Sequence, residues 1–138
     1  PTTDAPDARP YHGGRVSAPN PSKEHGVYGV TKTMQVALAR GLAETTLGTA
    51  ATVNSILAGP TRSEGVEGFI ADMARGQGKS PDEVERDFCK SARPSSLLQR
   101  FATPAEVAAM VAYVASPLAS ATNGAALRVE GRVVRSIL

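Results

Sequence analysis

The sequence contains no tryptophan, one cysteine and two histidines, and each scarcity removes a class of protein. A lone Cys89 excludes an internal disulfide framework and fits a reducing, cytoplasmic compartment. His12 and His25 with that cysteine make no metal-ligand spacing, so no metal site is expected. Three Phe and three Tyr, with a net charge of +2 spread along the chain, provide neither an aromatic platform nor a basic stripe for nucleic acid. The longest apolar run, Val107 to Ala115, is far short of the ~18–20 residues that span a bilayer, and no charged start leads into an apolar stretch, so neither a membrane partner nor a signal peptide is expected. Glycine is plentiful, at thirteen residues, yet none sits in a glycine-rich turn between a strand and a helix.

What is present is one domain's worth of chain, 138 residues with 41% hydrophobic content, enough to bury a core. Residues Pro1 to Lys23 hold five of the ten prolines and no apolar period, so residues 1–24 read as an irregular or disordered segment. The start at Pro1 instead of Met reads as a processed, tagged or truncated start.

Gly26 to Leu47 then predicts a helix, stopped by Gly48, with Val27, Val30, Met34, Ala37, Leu38 and Leu42 as one buried stripe. Tyr28 and Lys32 fall at i and i+4 on it, with Cβ atoms ~5–6 Å apart. A free phenol titrates near ~10, so making it a base near neutrality requires ~3–4 kcal/mol. One cation ~4 Å away contributes ~1 kcal/mol in water but ~4 kcal/mol at an effective dielectric of ~20. A phenol beside an ammonium is therefore a candidate acid/base pair only in a partly dry cleft; a surface Tyr beside a solvated Lys is the alternative.

Ala50 to Leu57 reads as a short, mainly apolar strand, with Asn54 and Ser55 suggesting that its exit lies near solvent or a ligand. Gly59-Pro60-Thr61 turns into a helix carrying Val66, Phe69, Ile70 and Met73 on one face, capped by Thr61 or Ser63, and Thr61-x-x-Glu64 matches a capping box. Ser80-Pro81-Asp82-Glu83 opens a second helix with Val84 and Phe88 as apolar contacts, and the acidic run Asp82 to Asp87 reads as its solvated face. Residues 59–100 thus form a candidate lid beyond a strand end. Thr103-Pro104-Ala105-Glu106 starts a further helix with Val107, Met110, Val111 and Val114 buried, and Ala125 to Val129 reads as a final strand broken by Gly131.

In this order the motifs resemble the carboxy-terminal half of the short-chain dehydrogenase/reductase (SDR) family, over roughly Val27 to Leu138. Tyr28-Gly29-Val30-Thr31-Lys32 matches the family's Y-x-x-x-K, Val53-Asn54 through Thr61 resembles its strand ending in N-x-x-x-P-G, and Phe101 to Val107 resembles its R-x-x-x-P-x-E-V helix start. The resemblance implies an α/β, partial Rossmann-like doubly wound fold, with residues 25–138 as the second half of an NAD(P)-binding domain and 59–100 as its substrate-side lid. It implies an oxidoreductase that moves hydride between NAD or NADP, not distinguished here, and a small alcohol or carbonyl substrate. Tyr28 would be the general acid/base, Lys32 a contact to the nicotinamide ribose, and Gly59, Pro60 and Thr61 the surface against the nicotinamide, with Thr61 or Ser63 near its carboxamide. It also implies pairing of the Tyr28 helix across a homo-oligomer interface.

The family's catalytic serine position, thirteen residues before the Tyr, holds Arg15, which leaves Ser17 as the candidate. Ala58-Gly59 stands for the family's P-G, and Arg132 replaces a late glycine. Since the phosphate-binding glycine turn is missing, the chain is expected to be truncated and inactive alone. The alternative is a non-catalytic interaction or dimerisation module derived from the same family.

Overall fold

The computed structural model describes residues 11–13 and 26–135. Three strands, β1 (Tyr11–Gly13), β2 (Asn54–Ala58) and β3 (Ala126–Val129), form a parallel sheet in the order β1-β2-β3. Tyr11 pairs with Asn54 and Ser55 with Ala126, so β2 is hydrogen-bonded on both sides. Its first four residues are fully buried, as expected of a central parallel strand. The segment read as irregular therefore contains one short strand: three residues without apolar alternation carry too little pattern to read, and their place is set by pairing with β2.

Between β1 and β2 runs α1 (Gly26–Glu44). Its last turn tightens through Thr45 and Thr46, whose hydroxyls donate back to the carbonyls of Leu42 and Ala43, and Gly48 then takes a φ of 76°. The helix buries a different face from the one its apolar period marks. Ala39 and Ala43 pack on Val53, while Val30, Met34 and Leu38 are 61%, 64% and 59% exposed. Close approach of a helix to the start of β2 selects methyl groups there, and the larger apolar side chains are left on the far side. Periodicity identifies an apolar face; it does not say what covers it.

Asn54 and Ser55 also differ from expectation. They are the first residues of β2 and are almost fully buried, at 1% and 2% exposure. Asn54 donates to the Thr122 carbonyl at 2.8 Å and accepts from the Ala125 N–H at 3.0 Å, so its amide ties the turn before β3 to the sheet. The Asn54 side chain is an internal connector, Ser55 is simply buried, and the exit of β2 is the apolar Leu57-Ala58.

From β2 to β3 the chain passes through α2 (Glu64–Gln77), α3 (Pro81–Ala92) and α4 (Pro104–Ala115), then a short 3-10 turn, Pro117–Ala119. The α2–α3 pair builds its own core from Ile70, Ala74, Val84, Cys89 and Phe101, with Val66, Met73 and Phe88 against it. Val84, 2% exposed, contributes roughly 1.5–3 kcal/mol by burial. Phe88 and Phe101 meet edge to face, with centroids 5.4 Å apart. The capping boxes read at Ser80–Glu83 and Thr103–Glu106 are both formed. The one at Thr61–Glu64 is not: Ser63 occupies the cap position without a side-chain bond, and Thr61 is drawn into a parallel bridge with Ala102. On α4, Val114 is buried and Val107, Met110 and Val111 are half-buried.

Candidate functional site

The turn after β2 is held from two sides. The Gly59 N–H donates to the Val129 carbonyl at 3.0 Å, and a Cβ at residue 59 would lie 2.7 Å from Glu130 Cα. Only glycine lets the turn lie this close to the end of β3. On the other side, Ala102 N–H donates to Pro60 O at 2.9 Å and Arg62 N–H to Ala102 O at 2.8 Å. Thr61 Oγ1 donates back to Gly59 O at 3.0 Å.

Above this turn lies a cleft of about 330 Å³. Gly59, Pro60, Thr61 and Ser63 line its polar side, and Val66, Phe69 and Ile70 of α2 with Phe88 and Phe101 line its apolar walls. Arg93, the residue that ends α3, also lines it. The structure thus brings together four of the six expected contacts, Gly59, Pro60, Thr61 and Ser63, while Tyr28 and Lys32 do not line the cleft.

Glu85 fixes the far wall. It lies in the run read as a solvated acidic face, yet it is 5% exposed. Oε1 accepts from the Phe101 N–H at 2.8 Å and Oε2 from Arg62. One carboxylate thereby ties α3 both to the turn after β2 and to the segment before α4. The Arg62 guanidinium is held above its ordinary pKa, first by the hydrogen bond to Glu85 and then by that carboxylate's charge. Burial, and secondarily the charge of Glu85, pushes the Cys89 thiol up, so this cysteine is an inert part of the core. At the fifth residue of a capped helix beside Val84, Glu85 had one sequence signal, its place next to the buried stripe; Phe101 and Arg93 had none.

Tyr28 and Lys32 sit on the first two turns of α1. Tyr28 is 40% exposed, and Lys32 Nζ lies 5.6 Å from the centre of its ring while donating to Gln35 Oε1 at 3.2 Å. Topology places them relative to the cleft. β1 and β2 are parallel, so α1 between them runs antiparallel to both. Its C-terminal part packs on Val53, just before β2, and its first turn is therefore at the end of the sheet where β2 gives way to Gly59-Pro60-Thr61. Tyr28 is not among the residues lining the cleft itself. Ser17 lies outside the described residues.

Residues 11–131 match the family model described as enoyl-(acyl carrier protein) reductase. The chain belongs to the short-chain dehydrogenase/reductase family. Among curated SDR-like relatives it is 45% identical over 117 residues to the uncharacterized oxidoreductase YvaG of Bacillus subtilis and 47% identical over 110 residues to YvrD of the same organism. These alignments cover 85% and 80% of this chain but 44% and 42% of the relatives, so the chain spans under half their length. The fold is that of the L-sorbose reductase from Gluconobacter frateurii, solved with NADPH and L-sorbose, at a TM-score of 0.78 and 20% identity over 92% of this chain and 47% of that one. Among the described residues of this SDR chain, no helix is long and apolar enough to cross a membrane.

Proposed function

We propose that the chain forms the substrate-side half of an NAD(P)-dependent SDR oxidoreductase acting on a small alcohol or carbonyl compound. The observation that supports this most is the cleft at the carboxyl end of β2, at the same end of the parallel sheet as Tyr28 and Lys32. The second half of the domain is then residues 25–138 together with the β1 strand that pairs with β2, and the α2–α3 segment within 59–100 is its lid. The single cysteine, reduced and buried, suits a cytoplasmic setting.

The residues fit the reactive end of a nicotinamide cofactor. A planar ring suits the side formed by Gly59, Pro60 and Thr61, which leaves the apolar walls to the substrate, and Ser63, whose hydroxyl is not spent on capping α2, is free to meet a carboxamide alongside Thr61. When bound, the nicotinamide would supply or accept the hydride. Tyr28 Oη would hold the proton that passes to or from the substrate oxygen, with Lys32 supplying positive charge beside it and a donor to the ribose. Ser17 would steady the substrate oxygen. The choice between NAD and NADP stays open. None of the thirteen glycines forms a phosphate-binding turn, so turnover is assigned to this half together with a phosphate-binding half and not to the 138 residues alone.

A chimera tests this: the part of YvaG preceding its matched segment is joined ahead of Tyr11, where the family match begins, so that β1 and Ser17 are kept. Carbonyl reduction with NADH or NADPH is expected in the chimera, with Tyr28→Phe losing ~10²-fold or more. A Tyr28→Phe chimera as active as its parent, or turnover by the 138 residues alone, would overturn the reading.

A second reading, a non-catalytic module that assembles with itself, is favoured by the outward stripe Val30, Met34 and Leu38 on α1. The same surface would serve a homo-oligomer of the enzyme through the Tyr28 helix. Size-exclusion chromatography with light scattering checks it, and a monomer at all concentrations counts against pairing through α1.

A further inference from the structure

We infer that the cleft selects substrates with an apolar body and a carboxylate, and that Arg93 is the residue that reads the carboxylate. This rests on the cleft being the substrate pocket. Among the described residues Arg93 is the only charged side chain lining it, facing the apolar walls of Val66, Phe69, Ile70, Phe88 and Phe101. It is half-buried, and its place at the C-terminal end of α3 accounts for only part of its donors. Nη1 donates to the Ala92 carbonyl at 2.7 Å, which leaves Nε and Nη2 with no protein acceptor among the described residues. The other guanidinium groups nearby are committed, Arg62 to Glu85 and Arg100 to Glu106.

A half-buried guanidinium in an otherwise apolar cleft is costly until an anion meets it. Nε–H and Nη2–H form the parallel edge that matches the two oxygens of a carboxylate. One free edge and one positive charge suit a monoanion better than a phosphate dianion, which demands more donors. The cleft, about 330 Å³ in all, takes a body the size of a phenylalkyl group along its apolar walls. Arg93 is thus a specificity-determining residue for a small oxo or hydroxy acid, the carboxylate anchored at the end of α3 and the apolar chain along α2.

The test is binding to the full 138-residue chain, without cofactor, followed by ligand-detected NMR. The probes are 3-phenylpropionate, 3-phenyl-1-propanol and phenyl phosphate, applied to the parent, Arg93→Gln and Arg93→Lys. The expected result is ~10-fold tighter binding of the carboxylate than of the alcohol by the parent. Arg93→Gln should erase that preference while leaving the alcohol unchanged, and Arg93→Lys should restore part of it. Raising the salt should weaken only the carboxylate. Equal binding of carboxylate and alcohol, a preference untouched in Arg93→Gln, stronger binding of phenyl phosphate, or no binding of any probe would each overturn the inference. Because no nicotinamide is present, failure of hydride transfer shows only in the chimera assay, and failure of the Arg93 assignment shows only here.

Discussion

Removing the Glu85 carboxylate should cost this fold more than removing the arginine that pairs with it. In Glu85→Ala, the Phe101 N–H loses its acceptor at a buried site, and an orphaned buried donor costs ~1–3 kcal/mol. The lost pair with Arg62 adds ~0.5–1 kcal/mol, discounted because that side chain is 43% exposed. Relief of the carboxylate's own desolvation returns part of this, and the net is ~2–3 kcal/mol. Arg62→Ala leaves the Phe101 bond intact and opens the vacated side of Glu85 to water, so ~1–2 kcal/mol is expected. Glu85→Gln keeps an acceptor for Phe101 but turns a neutral amide toward Arg62, also ~1–2 kcal/mol. In urea, with a slope of ~1–3 kcal/mol per molar, the Glu85→Ala midpoint should fall by ~1–2 M. Equal losses in Glu85→Ala and Arg62→Ala, or a loss below ~0.5 kcal/mol in the former, would show that the Phe101 bond is not what holds α3 to the segment before α4.

Two further outcomes are expected. Arg132 is exposed and holds a φ of 62°, the left-handed region that costs a side-chain-bearing residue ~1–2 kcal/mol, so Arg132→Gly should raise stability by ~0.5–1 kcal/mol after ~0.5–1 kcal/mol of glycine's entropy is subtracted; a lower denaturation midpoint would contradict this. Arg100, through a two-pronged hydrogen bond, and then the Thr103 N–H hold the Glu106 carboxyl down at about 2. A folded value below the unfolded one means that its contribution is fully present above the ordinary value of 4.5 and is lost as pH falls toward about 2. Thermal melts of the parent and Glu106→Gln should therefore converge over that range, and curves that stay parallel would refute the assignment.

The reach of the sequence followed the reach of the interactions. The boxes at Ser80 and Thr103 are local, closed within four residues, and were legible as written. The turn after β2 was legible because Gly59-Pro60-Thr61 is contiguous and sits in family order. What stayed hidden was set by partners far along the chain. The inward face of α1 is chosen by Val53, the role of Asn54 by Thr122 and Ala125, and the burial of Glu85 by Phe101. Arg93 reaches the cleft through the tertiary placement of α3, and nothing in its neighbours marks it.

The Asn54 bridge also bears on how the chain is made. Its partner at Ala125 is translated 71 residues later, as is the strand that completes one side of β2. At ~5–20 residues per second, β2 therefore waits roughly 4–14 s on the ribosome with that edge unpaired and the Asn54 amide unmet. The helices α2 and α3, with their own core, can form in the meantime, before the sheet is complete. Slow codons between Gly59 and Ala125 would lengthen that exposure, and the yield of folded protein should then depend on chaperones that shield a bare strand edge.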